Sequence, residues 1–263
     1  MPEFSKAVDN HENETAPLTA TISSQDDRTQ KSGWVSPNYH RSRAVSLDEK
    51  QVVENRIVAL RSELPEVEHY RVLRTQILQR TQESAGNTIM ISSPRAGDGK
   101  TLTAINLALS FAREFKKTAL LVDCDLKKQQ IQHLLGIQGE KGLVDYLLDD
   151  CPVPELMMWP GIEKLTIISG GRTIGESTEL LGSPRMKELV EEMKSRYPNR
   201  YVFFDVPAIL ESADALAFAP LVDHILLTVR AGTTPKEDIS KAASLLPKEK
   251  LLGLVLNGEK KKA

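Results

Sequence analysis

Cysteine is scarce: Cys124 and Cys151 are the only two in 263 residues, too far apart for a C-x-x-C metal or redox pair. The five histidines are scattered without ligand spacing, so no histidine-bound metal centre is indicated. No apolar run approaches the roughly 18 residues that could span a bilayer. The opening MPEFSKAVDNHENETAP lacks the apolar stretch of a secretory leader. A cytoplasmic protein without direct membrane insertion is therefore expected. A net charge of -2 leaves no broad basic field, which argues against nucleic acid as a partner. No internal repeat is visible. What the chain does have is 40% hydrophobic residues, enough for an ordinary core, with room for one large domain plus an appendage.

Composition divides the chain near residue 50. Residues 1–50 read as a disordered tail or linker, because Asn, Glu, Asp, Ser, Thr and Gln dominate its start and burial cannot offset the entropy of ordering them. Within it, residues 34–45 hold Trp34, Val35 and Tyr39 among basic residues, either as a docking segment or as an arm packed on the chain's own domain. Residues 51–263 are expected to form the folded domain. It begins with two helical segments broken at Pro65. The second, over 66–84, places Tyr70, Leu73 and Ile77 on an apolar face and Glu68, Arg71 and Arg74 in a charged stripe beside it.

After that helix, the apolar runs TIMISS, TALLVDCD, KLTIIS, YVFFDVP, DHILLTVRAG and LLGLVLN alternate with amphipathic stretches. Nearly continuous apolar strands separated by helices predict an α/β fold: a doubly wound, mostly parallel sheet with helices on both faces. Ligands of such sheets bind beyond the carboxyl ends of the strands.

The stretch SSPRAGDGKT, Ser92 to Thr101, ends like a phosphate-binding loop, although Pro94 stands where the first glycine is usual. It sits between a buried strand and the strong helix pattern KTLTAINLALSFAREF, as phosphate binding requires. There the backbone N–H groups of Gly97, Asp98, Gly99, Lys100 and Thr101, with Leu102 next in line, can wrap a phosphate at the positive end of a helix. Lys100 can reach the β and γ phosphates of ATP, and Thr101 can hold Mg²⁺. Asp123 and Asp125, two apart at a strand's end, point the same way. Asp205 closes another apolar strand and is a candidate metal carboxylate.

SSPRAGDGKT, LLVDCDLKK and YVFFDVPA resemble the three nucleotide motifs of the bacterial tyrosine kinases, relatives of the MinD/ParA ATPases that act in exopolysaccharide and capsule synthesis. EHYRVLR, Glu68 to Arg74, is similar to that family's E-x-x-R-x-x-R self-association element. KGLVDYLLDD, TELLGSPRM and LLGLVLN follow in the family's order, so the likeness runs over about 67–257. It implies ATP and Mg²⁺ as ligands, with Lys100 and Thr101 on the triphosphate, Thr101, Asp125 and Asp205 on the metal, and Asn257 near the adenine. It also implies Asp123 as the base for a tyrosine hydroxyl, and a homo-oligomer. The implied partner is a membrane polysaccharide co-polymerase, or chain-length regulator, that recruits the chain to the inner face of the membrane. Departures from the pattern are equally specific. No tyrosine follows Tyr201, where the family carries a tyrosine cluster; Lys127 and Lys128 replace arginines; and Arg95 stands where MinD/ParA proteins have a lysine. A nucleotide-gated assembly module and a MinD/ParA-like positioning ATPase are the alternative readings.

Overall fold

The computed structural model describes residues 42–82, 86–197 and 199–259. In chain order the strands are β1 (Arg43–Ala44), β2 (Thr88–Ser92), β3 (Thr118–Asp123), β4 (Met157–Trp159), β5 (Leu165–Ile168), β6 (Arg200–Asp205), β7 (His224–Arg230) and β8 (Leu251–Asn257). The α-helices are α1 (Glu49–Glu54), α2 (Val67–Gln82), α3 (Lys100–Ala112), α4 (Ile131–Leu135), α5 (Leu143–Asp149), α6 (Val153–Leu156), α7 (Ser177–Leu181), α8 (Pro184–Arg196), α9 (Asp214–Phe218) and α10 (Lys236–Ser244).

The strands form one sheet in the order β1-β4-β5-β3-β6-β2-β7-β8. Every pairing is parallel except β4 with β5. The six expected strands are β2, β3, β5, β6, β7 and β8. The two short ones, β1 and β4, were not expected, since two or three residues show no periodicity. Of the stretch read as tail up to residue 50, Arg43–Ala44 joins the sheet edge and Val45 N–H donates to the Trp159 carbonyl at 2.9 Å. Residues 34–41 of the candidate docking segment lie outside the described residues. The first expected helix is shorter than its pattern: α1 ends at Glu54 and only a 3-10 turn, Val58–Leu60, follows.

The central strands are buried along their whole length because successive side chains feed two cores. On one face Met90, Leu120, Val122, Val202 and Phe204 pack with α5, α8, α9 and α10. On the other, Ile89, Ile91, Leu121 and Phe203 pack with α1, α2 and α3. Buried in this second layer, α3 is built from Ala, Leu, Ile and Phe; its one buried amide, Asn106, accepts from Ala59 N–H at 2.8 Å and donates to the Leu102 carbonyl at 3.0 Å. α3 is therefore fixed in place, and its N-terminus is aimed at the carboxyl edge of the sheet.

Candidate active site

β2 ends at Ser92, and the chain turns through residues 93–99 into α3. Gly97 and Gly99 have φ of +85° and +99°, left-handed values that a side chain would oppose. A Cβ on Gly99 would lie 1.8 Å from the Asn257 amide nitrogen, whereas one on Gly97 would meet nothing within 4 Å. One glycine is thus demanded by the protein beneath the loop, and the other borders open space.

The loop is braced from outside. Asp98 accepts Arg95 N–H at 3.0 Å and the Thr234 hydroxyl at 2.7 Å, and its carbonyl accepts the Asn257 amide at 3.0 Å. Arg230 donates to the Gly97 carbonyl at 3.1 Å, and Glu211 accepts Ala96 N–H at 2.7 Å. Arg95 pairs with Asp238 of α10 rather than standing free. Arg230, Thr234 and Glu211 escaped the sequence reading. The available signal was positional, because Arg230 closes β7 at the sheet's ligand edge.

Inside the loop the expected residues converge. Lys100 Nζ is 2.9 Å from Asp125, 3.4 Å from Asp205 and 3.3 Å from Thr101 Oγ1. The Thr101 hydroxyl donates to Asp205 at 2.6 Å. Asp123 and Asp205 are register partners on β3 and β6, both fully buried. Asp123 accepts Asp125 N–H at 3.1 Å and Ile131 N–H at 3.2 Å, and Asp125 accepts Lys128 N–H at 3.0 Å. Leu102 is half-buried against the α3 face of the core, and its side chain is no part of this cluster.

Burial sets the electrostatics. It pushes the Asp123 carboxyl up to about 8, helped by the neighbouring Asp205 charge and opposed by the two backbone N–H groups. Burial likewise raises Asp205, against the pull of Lys100 and Thr101. For Lys100, burial would lower the pKa, but Asp205 and Asp125 outweigh it and the ammonium stays charged. Two buried, raised carboxylates beside one ammonium mark a site short of positive charge. Among the described residues no group of three or more His, Cys, Asp or Glu is arranged to hold a metal ion alone.

The three residues of the expected charged stripe part company. Glu68 and Arg71 pair at 3.0 Å on the surface. Arg74 turns inward, donating to the Ser110 carbonyl at 2.7 Å and lying 3.6 Å from Glu114. It therefore ties α2 to the end of α3, and of the charged stripe expected on α2 only Glu68 and Arg71 stay as an exposed pair. Lys127 lies 3.4 Å from Asp214, a buried carboxylate that also accepts the Ser177 hydroxyl at 2.6 Å; no motif marks this network.

A strand, a glycine loop and a buried helix, with lysine, threonine and two strand-end carboxylates around one point, define a P-loop nucleotide-binding protein. Residues 86–243 match the AAA domain family. The tyrosine-protein kinase YwqD of Bacillus subtilis is 35% identical over 195 residues, covering 73% of this chain and 81% of that protein. The succinoglycan biosynthesis transport protein ExoP of Rhizobium meliloti is 33% identical over 180 residues, covering 66% of this chain and 22% of that protein. Among solved structures, the kinase domain of the Escherichia coli tyrosine kinase ETK superposes with a TM-score of 0.74 at 25% identity, covering 87% of this chain and 92% of that one. The chain belongs to the AAA domain family and, within it, to the bacterial tyrosine-protein kinases.

Proposed function

We propose that this chain is an ATP-binding tyrosine-kinase-type ATPase of exopolysaccharide or capsule biosynthesis, passing the γ-phosphoryl group of Mg-ATP to a tyrosine hydroxyl. The observation that carries this reading is the meeting of Lys100, Thr101, Asp125 and Asp205 within 3.5 Å at the carboxyl edge of the sheet. The residues fit the ligand. Open space beside the left-handed Gly97 leaves room for a phosphate, and the surplus of buried carboxylate calls for a cation. Mg²⁺ is typically held by one or two carboxylates together with substrate phosphates, which matches a donor set of Thr101, Asp125 and Asp205.

In this reading the N–H groups of 97–102 surround the phosphates, and Lys100 exchanges part of its carboxylate contact for phosphate oxygens. Mg²⁺ neutralises charge on the phosphate oxygens when bound. Asp123 accepts the tyrosine proton; its raised proton affinity falls in the range where a general base is effective near neutral pH. Asn257 supports the loop from below, and a contact with adenine is the further role assigned to it. Glu68 and Arg71 remain exposed for self-association.

A membrane protein of the polysaccharide machinery is the proposed partner. The match to ExoP supports it, because there the matching stretch is 22% of a much longer polysaccharide biosynthesis transport protein. No helix among the described residues is long and apolar enough to cross a membrane, so recruitment would fall to that partner. A second reading, a nucleotide-gated assembly module without phosphotransfer, is favoured by the two backbone N–H groups already held by Asp123. The test is incubation of the chain and its Lys100→Met variant with Mg-ATP, with and without a partner tail, followed by mapping of phosphotyrosine by mass spectrometry. Phosphotyrosine that depends on Lys100 is expected; phosphate release with no phosphotyrosine in either condition would favour the second reading.

A further inference from the structure

Resting on the nucleotide site of the reading above, we propose that Arg230 is a positioning residue for the phosphates. With its neighbour Asn257 it turns two successive peptides of the loop so that their N–H groups face the ligand. The two side chains come from one place. Arg230 ends β7, Asn257 ends β8, and the two are register partners at the carboxyl edge of the sheet. Arg230 Nη1 donates to the Gly97 carbonyl at 3.1 Å, and Asn257 Nδ2 donates to the next carbonyl, that of Asp98, at 3.0 Å.

A trans peptide is planar, with its C=O and N–H pointing opposite ways. The Gly97 carbonyl shares its peptide with the Asp98 N–H, and the Asp98 carbonyl shares its own with the Gly99 N–H. Held toward β7 and β8 by their carbonyls, both peptides present N–H to the other side, as a pair of adjacent donors for an anion. Left-handed backbone at Gly97 and Gly99, φ +85° and +99°, permits this turn. The Asp98 carboxylate, which would repel a phosphate, is turned away as well: it is buried and accepts the Arg95 N–H and the Thr234 hydroxyl. Thr234 in turn accepts the Arg230 N–H at 2.8 Å, so one short turn after β7 holds the Gly97 carbonyl and the Asp98 carboxylate together.

Charge separates Arg230 from other cations at this edge. Arg95 pairs with Asp238, Lys100 with Asp125 and Asp205, and Lys127 with Asp214. Arg230 is exposed and donates to a neutral carbonyl, so its charge polarises the peptide of Gly97 and Asp98 and adds to the field felt by a triphosphate. Its stem lies along Gly258, where a Cβ would stand 3.6 Å from Arg230 Cγ. The backbone is fixed too. The Arg230 carbonyl accepts the Thr233 and Thr234 N–H groups at 3.2 and 3.0 Å, and Ala231 N–H donates to the Asn257 carbonyl at 2.8 Å. An arginine anchored in this way sets the shape of the loop.

The experiment measures the full chain by calorimetry with Mg-ADP and with Mg-tripolyphosphate, which carries phosphates but no base, and follows the amide protons of Asp98 and Gly99 by NMR. Arg230→Ala should weaken both ligands by the same factor, about tenfold, as the loss of one charge-assisted hydrogen bond implies. Arg230→Lys keeps a charged donor and should stay within about threefold of the natural chain. In the natural chain Mg-tripolyphosphate should move both amide protons downfield. Arg230→Ala should mute the movement at Asp98 and spare Gly99, and Asn257→Ala should do the reverse. Unchanged affinity for both ligands with a lowered urea midpoint makes Arg230 a structural brace and overturns the proposal. A loss confined to Mg-ADP, which marks a contact with base or ribose, overturns it too, as does equal muting of both amides in each variant. If Arg230→Ala fails to fold, Arg230→Gln, which removes the charge and shortens the donor, decides by the same measurements. In each of these outcomes the natural chain binds nucleotide and the reading above stands; if it binds neither ligand, that reading fails and the positioning role fails with it.

Discussion

Lys100 is held between Asp125 and Asp205 with almost no solvent, so removing it acts on both ligand and fold. For Lys100→Met, calorimetry should show ATP binding weakened by about 1.5–3 kcal/mol, roughly 10- to 100-fold. Urea unfolding without nucleotide should show a loss of about 3 kcal/mol at pH 7.5, since a buried carboxylate is left without its cation. The loss should shrink at pH 5, where Asp205 can take up a proton instead. Asp123 gives a separate pH signature. Its folded-state pKa, about 8, lies above the unfolded value, so the folded chain binds the extra proton. That contribution is complete below about pH 4 and is lost as pH rises towards 8. Without Mg²⁺ or nucleotide, stability between pH 5 and 8 should fall more steeply in the natural chain than in Asp123→Asn; equal slopes would refute the raised carboxyl. At this scale the sequence was legible where chemistry needs a residue type, as with Lys100, Thr101 and the strand-end aspartates. It was silent on Arg230, Thr234 and Glu211, which reach the loop through its backbone or the Asp98 side chain and follow no motif.

The phosphate loop and the end of β8 act as one element, because the Asn257 amide holds the Asp98 carbonyl and fills the space beside Gly99. Gly99→Ala should destabilise by about 1–3 kcal/mol through its left-handed backbone and the clash. Asn257→Ala should cost about 1 kcal/mol. The double variant should be less unstable than the sum, by at least about 0.5 kcal/mol, because removing the amide removes the clash. Urea midpoints decide the matter, and strict additivity would show that the two do not touch. On α2, Arg74→Ala should cost about 1–2 kcal/mol in thermal unfolding, because it cuts the tie to Ser110 and Glu114. Arg71→Ala should stay within about 0.5 kcal/mol. Three-residue spacing alone could not separate these arginines, as the end of α3 that captures Arg74 lies 36 residues further on. Long buried strands were readable because their apolar runs are continuous. β1 and β4 were not, because they are only 2 and 3 residues long, and β1 finds its partner far along the chain.

Across the whole molecule, the two edges of the sheet differ in kind. β8 ends the sheet with Leu254 and Leu256 52% and 61% exposed, and it has no proline or charge along its length. Such an edge invites pairing with other chains. Replacing both leucines with lysine should slow heat-induced aggregation, followed by light scattering, while the unfolding midpoint changes little. The opposite edge is formed by β1 and β4, whose reversed course turns the chain's entry to the same side on which β8 finishes. Ser42 and Gly258 consequently flank one rim, and the base of the sheet, around Asn87, Thr118 and His224, carries neither. A surface anchor attached through that base would leave the mouth facing bulk solution, whereas a bulky fusion at either of those two points would stand beside it.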